Sequence, residues 1–132
     1  MGEYSIYTDT ACDIQASVLR DWGVGYISMS FSFEGENRIY QDRDMDITEF
    51  YGKMRRGGLA KTAAANPELY REAFEEALKE GRDVLYLGLS GALSTSFGAA
   101  QSAAEELRHL YPERKLLLAD TLSASAGEGM LV

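Results

Sequence analysis

The stretch Gly88-Leu89-Ser90-Gly91-Ala92-Leu93-Ser94-Thr95-Ser96-Phe97 gathers glycines and hydroxyls where an apolar run gives way to a helical pattern. On a parallel sheet such a turn lies at the carboxyl edge, where open α/β folds bind ligands. The first turn of a helix has unpaired N–H groups and the positive dipole end, which favour a carboxylate or a phosphate. The hydroxyls of Ser94, Thr95 and Ser96 would add donors beside those amides. Ser94 could equally be a plain helix cap, and one serine can do both. Lys61-Thr62-Ala63-Ala64-Ala65-Asn66-Pro67 has a similar reading. Its small residues could let a ligand approach the backbone, with Thr62 supplying a hydroxyl, but an ordinary loop with Asn66 capping the next helix is the better reading of this stretch alone. Asp9 and Thr10, after the first strand, fall on the same edge; an Asx turn explains them as well as a ligand does.

Other chemistry fits less well. Gly88-Leu89-Ser90-Gly91-Ala92 is close to the Gly-x-Ser-x-Gly nucleophile elbow, but its last position is Ala92. The single histidine, His109, falls near the far end of the following helix, over about 20 Å from the turn at the helical rise. A serine hydrolase using Ser90 therefore cannot assemble its triad within these residues. Asp42-x-Asp44-x-Asp46 has Ile47 where a calcium loop needs glycine and Lys53 where it needs glutamate, so a solvated turn and helix cap is the better reading. Gly127-x-Gly129 lacks the third glycine of a dinucleotide fingerprint. Lys53, Arg55, Arg56 and Lys61 form a basic cluster that could meet phosphate or an acidic partner, and Cys12 reads as a packed thiol.

These segments need elements to position them. Tyr4–Thr8 reads as a strand, and Ile14, Val18, Leu19 and Trp22 recur at helical spacing up to Gly23. From Val24 to Phe33 the period is two, which predicts one strand, with Arg38–Gln41 returning after the Glu34–Asn37 turn. Asp46 and Glu49 open a helix through Met54. Asn66-Pro67 opens another, with Leu69, Tyr70, Ala73, Phe74, Ala77 and Leu78 inside and Gly81 at its end. Val84–Leu89 and Leu116–Ala119 read as strands covered on both faces, separated by a helix from Ser94 to Leu110 whose inner stripe is Phe97, Ala100, Ala104, Leu107 and Leu110. The alternation implies a parallel sheet with helices on both faces, a three-layer α/β/α domain.

The chain has 132 residues, one domain's length, with 45% hydrophobic and 26% charged residues, a soluble globular balance. Its net charge of −8 argues against a nucleic-acid binder. One cysteine fits a reducing compartment, and no run approaches the ~18 apolar residues that span a bilayer, so a cytoplasmic protein without stable membrane insertion is expected. No metal or cofactor site is expected. The apolar end Gly129-Met130-Leu131-Val132, just after a βα junction, suggests a piece of a longer protein.

Taken in order, these motifs resemble the N-terminal domain of the DegV family, bacterial fatty-acid-binding proteins, over essentially residues 1–132. Tyr7-Thr8-Asp9-Thr10-Ala11-Cys12-Asp13 is similar to the family's "TDSTAD" strand end, and Gly23-Val24 to its "GI". Tyr40-Gln41-Asp42 with Phe50-Tyr51-Gly52-Lys53-Met54 matches "Y-x-D … FY-x-KM". Lys61-Thr62 with Asn66-Pro67 resembles "TSQPSP", Leu89–Phe97 resembles "ISSxLSGTY", and Asp120-Thr121 through Ser125, Gly127 and Gly129 resembles "DS…S-x-G-x-G".

The resemblance implies a long-chain fatty acid bound in a tunnel, its carboxylate held chiefly by Thr62 and Ser94. Ser90, Ser96 and Thr95 are further ligand-binding candidates, and Asp9, Thr10 and Ala63 follow them as secondary ones. It also implies presentation of the acid to a separate ATP-dependent fatty acid kinase subunit that makes the acyl phosphate, a step of phospholipid metabolism. The binding protein itself would have no catalytic nucleophile. Ala63, Ala64 and Gly91 replace polar residues of the family pattern, and Ser94-Thr95-Ser96-Phe97 alters "SGTY". Family members carry a second domain that adds head-group contacts and tunnel wall. The expectation is therefore weak lipid binding by this portion alone and an apolar face that could dimerise, with an interaction domain that no longer binds lipid as the rival reading.

Overall fold

In the computed structural model, which describes residues 3–132, four strands form a parallel sheet: β1 (Tyr4–Asp9), β2 (Gly25–Ile27), β6 (Asp83–Gly88) and β7 (Leu116–Asp120), in the order β2-β1-β6-β7. Ile6 pairs with Leu85, and Leu85 with Leu117. The helices α3 (Pro67–Lys79) and α4 (Ser96–Leu110) pack on one face, where Tyr70, Phe74, Val84, Tyr86, Ala100, Ala104, Leu107 and Leu116 make the main core. Phe74 is fully buried, and its truncation to alanine would cost about 3–5 kcal/mol. The short α1 (Ala16–Asp21) and α5 (Ala126–Gly129) lie on the other side, around Cys12, Leu19 and Val24. This is the three-layer α/β/α arrangement that the alternation implies.

Three local expectations need correction. Val24–Phe33 is not one strand. It breaks at Ser28-Met29, and β3 (Ser30–Phe33) joins a second, antiparallel sheet ordered β4-β3-β5, with β4 (Tyr40–Gln41) as the expected hairpin partner. The break is held by Met29 N–H donating to Thr10 Oγ1 at 3.0 Å and Asp42 N–H donating to the Met29 carbonyl at 2.8 Å. Both halves keep period two, so alternation could not show that they serve different sheets. The stretch around Thr62 is not a loop but β5 (Ala60–Ala63), which pairs antiparallel with β3, Thr62 opposite Phe31. Alanine and lysine are poor strand formers, and tertiary pairing overrides them.

The third correction concerns burial. Leu69, Trp22, Leu110 and Leu117 are exposed, so the inner stripes are narrower than the sequence suggests, and β7 is not covered on both faces. The caps are as read: Asp46 accepts from Thr48 N–H and opens α2 (Ile47–Arg55), and Asn66 accepts from Leu69 N–H ahead of Pro67.

Candidate functional site

A cleft of about 540 Å³ opens between the carboxyl edge of the parallel sheet and the small antiparallel sheet with α2. The sheet edge contributes Thr10, Ala11, Leu89, Leu93 and Ser94. The opposite wall contributes Phe31, Thr62, Ala63, Met45, Phe50 and Tyr51. Hydroxyls and apolar side chains thus line one volume, which suits a molecule with a polar head and an apolar body.

The serine turn is built from below. Asp120, at the end of β7, accepts from Gly91 N–H at 3.0 Å, and Thr121 Oγ1 donates to the Gly88 carbonyl at 2.8 Å. A Cβ on Gly88 would fall within 2.7 Å of the Tyr86 ring and hydroxyl, so glycine is needed where the strand ends. Helix α4 starts at Ser96, not Ser94; Thr95 occupies the cap position without a side-chain cap bond. Ser94 instead accepts from Ser96 N–H at 3.2 Å and donates to Ser96 Oγ at 3.0 Å, half-buried at the cleft wall.

The sequence-derived site residues separate into two groups. Thr62, Ala63, Ser94 and Thr10 share the cleft lining. Thr62 gets there from a strand, not from a helix entrance. Ser90 and Ser96 are buried and turned inward: Ser90 Oγ accepts from Ala92 N–H at 3.2 Å, and Ser96 Oγ accepts from Ala65 N–H at 3.2 Å. Thr95 is exposed outside the cleft lining, and Thr10 spends a lone pair on Met29. Asp9 is fully buried, with Oδ1 accepting from Ala11 N–H at 3.0 Å and Oδ2 from Tyr86 O–H at 2.7 Å and Leu89 N–H at 3.0 Å. It shapes the cleft floor without facing the cavity. His109 sits in the last turn of α4, away from Ser90 at the other end.

Reasoning from sequence missed the wall made by Met45 and by Phe50 and Tyr51 of α2. The available signal was the apolar spacing of Ile47, Phe50, Tyr51 and Met54 along α2, whose Phe50 packs on the Phe33 ring and on that of Phe31, which lines the same cleft. Two of the four basic residues are paired: Lys53 with Glu36 at 2.7 Å, lying over the Phe33 and Tyr40 rings, and Lys61 with Glu34. That pair holds the Glu36 carboxyl below and the Lys53 ammonium above their ordinary ranges, chiefly through their mutual hydrogen bond. Arg43 lines the cleft and donates to the Ile14 carbonyl at 2.7 Å. Burial pushes the Cys12 thiol up, consistent with a packed side chain. Among the described residues no group of three potential metal ligands comes together, and no helix is long and apolar enough to cross a membrane.

Comparison with known proteins agrees with this architecture. A curated DegV domain-containing protein of Clostridium perfringens is 34% identical over 133 residues, covering 100% of this chain and 46% of the relative. The chain thus spans about half the length of the curated relatives it matches. Among solved structures, a stearic acid-binding protein from Eubacterium ventriosum superimposes with TM-score 0.88 at 24% identity, covering 97% of this chain and 44% of that one. A DegV family protein from Thermus thermophilus, described for its fatty acid binding, gives TM-score 0.83 at 30% identity over 98% of this chain and 44% of that one. The Fatty Acid Kinase (Fak) B3 protein of Streptococcus pneumoniae, loaded with linoleic acid, shares the fold at TM-score 0.76 and 23% identity, over 93% of this chain and 43% of that one. The family model described as an uncharacterised protein of the DegV family matches residues 3–132, and the chain belongs to the DegV family.

Proposed function

We propose that this chain forms the head-group half of a fatty-acid-binding protein. The carboxylate lies against the Thr62 and Ser94 hydroxyls, and the start of the acyl chain runs along Phe31, Met45, Phe50, Leu89 and Leu93. The observation that carries this reading is that Thr62, on a strand of the small sheet, and Ser94, in the turn after β6 of the parallel sheet, line one cleft with those apolar side chains. A carboxylate takes charge-assisted hydrogen bonds from such donors, and Arg43 adds a cation to the same lining. The fatty acids bound by the Thermus thermophilus and Streptococcus pneumoniae proteins support the ligand class.

The finer reading is that the bound acid is presented to a separate ATP-dependent kinase subunit, which the name of the Streptococcus pneumoniae protein supports. A further domain of comparable size, in the region of the relatives that this chain does not cover, completes the tunnel. The test is mass spectrometry of organic extracts from this purified chain and from a full-length protein containing it. Stoichiometric long-chain fatty acid in the longer protein and little in this chain is expected. No acid in either would overturn the reading and leave an interaction domain.

A further inference from the structure

Among the described residues one buried side-chain polar atom has no hydrogen-bond partner: Oε2 of Glu128 in α5. Glu128 is completely buried, its Oε1 accepting from Thr8 Oγ1 at 3.2 Å, and Thr8 is followed directly by Asp9 at the end of β1. Asp9 is equally buried and takes three donors, the Ala11 and Leu89 amides and the Tyr86 hydroxyl. The other titratable groups around the pair are Asp13 and Cys12 by the turn after β1, Tyr86 on β6 and Tyr70 on α3. None of them is a cation.

Two neighbouring buried carboxylates with no cation beside them resist being ionised together, and a carboxylate can only accept, whereas a neutral acid has one O–H to donate. Asp9 already takes three donors, whereas Glu128 takes one and keeps an oxygen with no partner. The proton belongs on Glu128.

We infer that Glu128 is a neutral acid whose Oε2–H donates to Asp9, and that this shared proton is a pin positioning the Thr10-Ala11 wall of the cleft. The packing around it is tight. A Cβ on Gly129 would sit 2.7 Å from the Cys12 carbonyl oxygen, so α5 rests backbone against backbone on the turn after β1. Ser125 N–H donates to the Ala11 carbonyl at 2.8 Å, and Ser125 Oγ donates to Asp13 Oδ2 at 2.5 Å. Asp9 in turn holds the amides of Ala11 and Leu89, both in the cleft lining. Burial, then Asp9, pushes the Glu128 carboxyl up to about 9, in keeping with the geometry. The inference does not depend on what the cleft binds.

The test is NMR on the ligand-free 132-residue chain, following the Glu128 carboxyl carbon and the Ala11 and Leu89 amides against pH. The Glu128 carbon should hold its neutral-acid position through pH 7 and move only in the alkaline range, with both amides moving at the same midpoint. Glu128→Gln, which keeps a donor, should leave the amide positions at pH 7 nearly unchanged and abolish their alkaline movement. An ionised Glu128 carbon at pH 7, or amide movement that persists in Glu128→Gln, would overturn the inference. The wild-type titration and the glutamine variant decide the matter even if Glu128→Ala fails to fold.

Discussion

The Tyr86 hydroxyl donates to Asp9 Oδ2 at 2.7 Å, tying β6 to the end of β1 inside the core. Its single proton is spent there, so Tyr70, whose hydroxyl oxygen is 3.1 Å away, must be the donor in the Tyr70–Tyr86 bond. Two buried phenols therefore point in sequence toward Asp9, and their direction is set by the carboxylate at the end. Burial pushes Tyr70 up to about 12 and Tyr86 further, so both phenols stay neutral and the direction persists across ordinary pH.

Replacing Tyr86 with Phe removes a donor to a charged acceptor and leaves the Tyr70 proton without a partner. Hydrogen bonds to charged groups contribute roughly 1.5–3 kcal/mol, so the variant should unfold about 2 kcal/mol more easily. Urea titration of both proteins reads this directly. An unchanged midpoint would mean that water replaces the phenol, contrary to its complete burial.

Glu128→Gln should change how stability depends on pH. The wild-type carboxyl is raised from 4.5 to about 9 in the folded state, so between those values the folded protein holds a proton that the unfolded chain has released. The stabilisation is fully present below about pH 4.5 and is lost as pH rises through about 9. The slope is at most about 1.4 kcal/mol per pH unit. Glutamine has no such proton, so the variant should gain on the wild type as pH climbs from 5 to 9. Thermal unfolding at four or five pH values tests this, and parallel curves would mean Glu128 titrates normally.

Much of this was visible in the chain. Asn66-Pro67, Asp46 and Gly81 mark helix boundaries because their local chemistry decides them, and Tyr70, Phe74 and Leu107 follow a helical period that tertiary packing then uses. That Thr62 and Ser94 come together was legible through motif resemblance, and both line one cleft, but the strand that holds Thr62 was not, since Ala-Lys-Thr-Ala has no strand signal apart from its partner β3. Leu117 was misread because period and hydropathy describe one residue at a time, whereas cover depends on what lies across the sheet. Glu128 was not singled out: a glutamate between two glycines looks solvated until α5 is folded back onto Thr8 and Asp9.

Two glycine substitutions separate packing from propensity. At Gly129 a methyl would meet the Cys12 carbonyl at 2.7 Å, and backbone cannot yield as a side chain can. Gly129→Ala should cost about 1–3 kcal/mol and shift the Ala11 amide resonance as α5 lifts. At Gly98, in the first turn of α4, a methyl meets nothing within 4 Å. Gly98→Ala should therefore stabilise by about 0.5–1 kcal/mol through backbone entropy alone. Opposite signs in a single melting experiment would support both assignments, and destabilisation at Gly98 would mean that α4 is more crowded there than it appears.

The head-group reading is tested most sharply by charge. Ser94→Asp leaves an oxygen that can still accept from Ser96 N–H, and the N-terminus of α4 favours a negative group there, so the fold should survive. The new carboxylate then stands where a fatty acid's own would lie. In the longer protein, displacement of cis-parinaric acid by stearate should weaken at least tenfold, about 1.4 kcal/mol, and Ser94→Ala or Thr62→Ala should weaken it less. Displacement by octadecanol, which has the same tail and no charge, should be nearly unaffected by Ser94→Asp. Equal losses for acid and alcohol would show that the substitution damages the apolar cleft, and unchanged stearate binding would remove Ser94 from the head-group site.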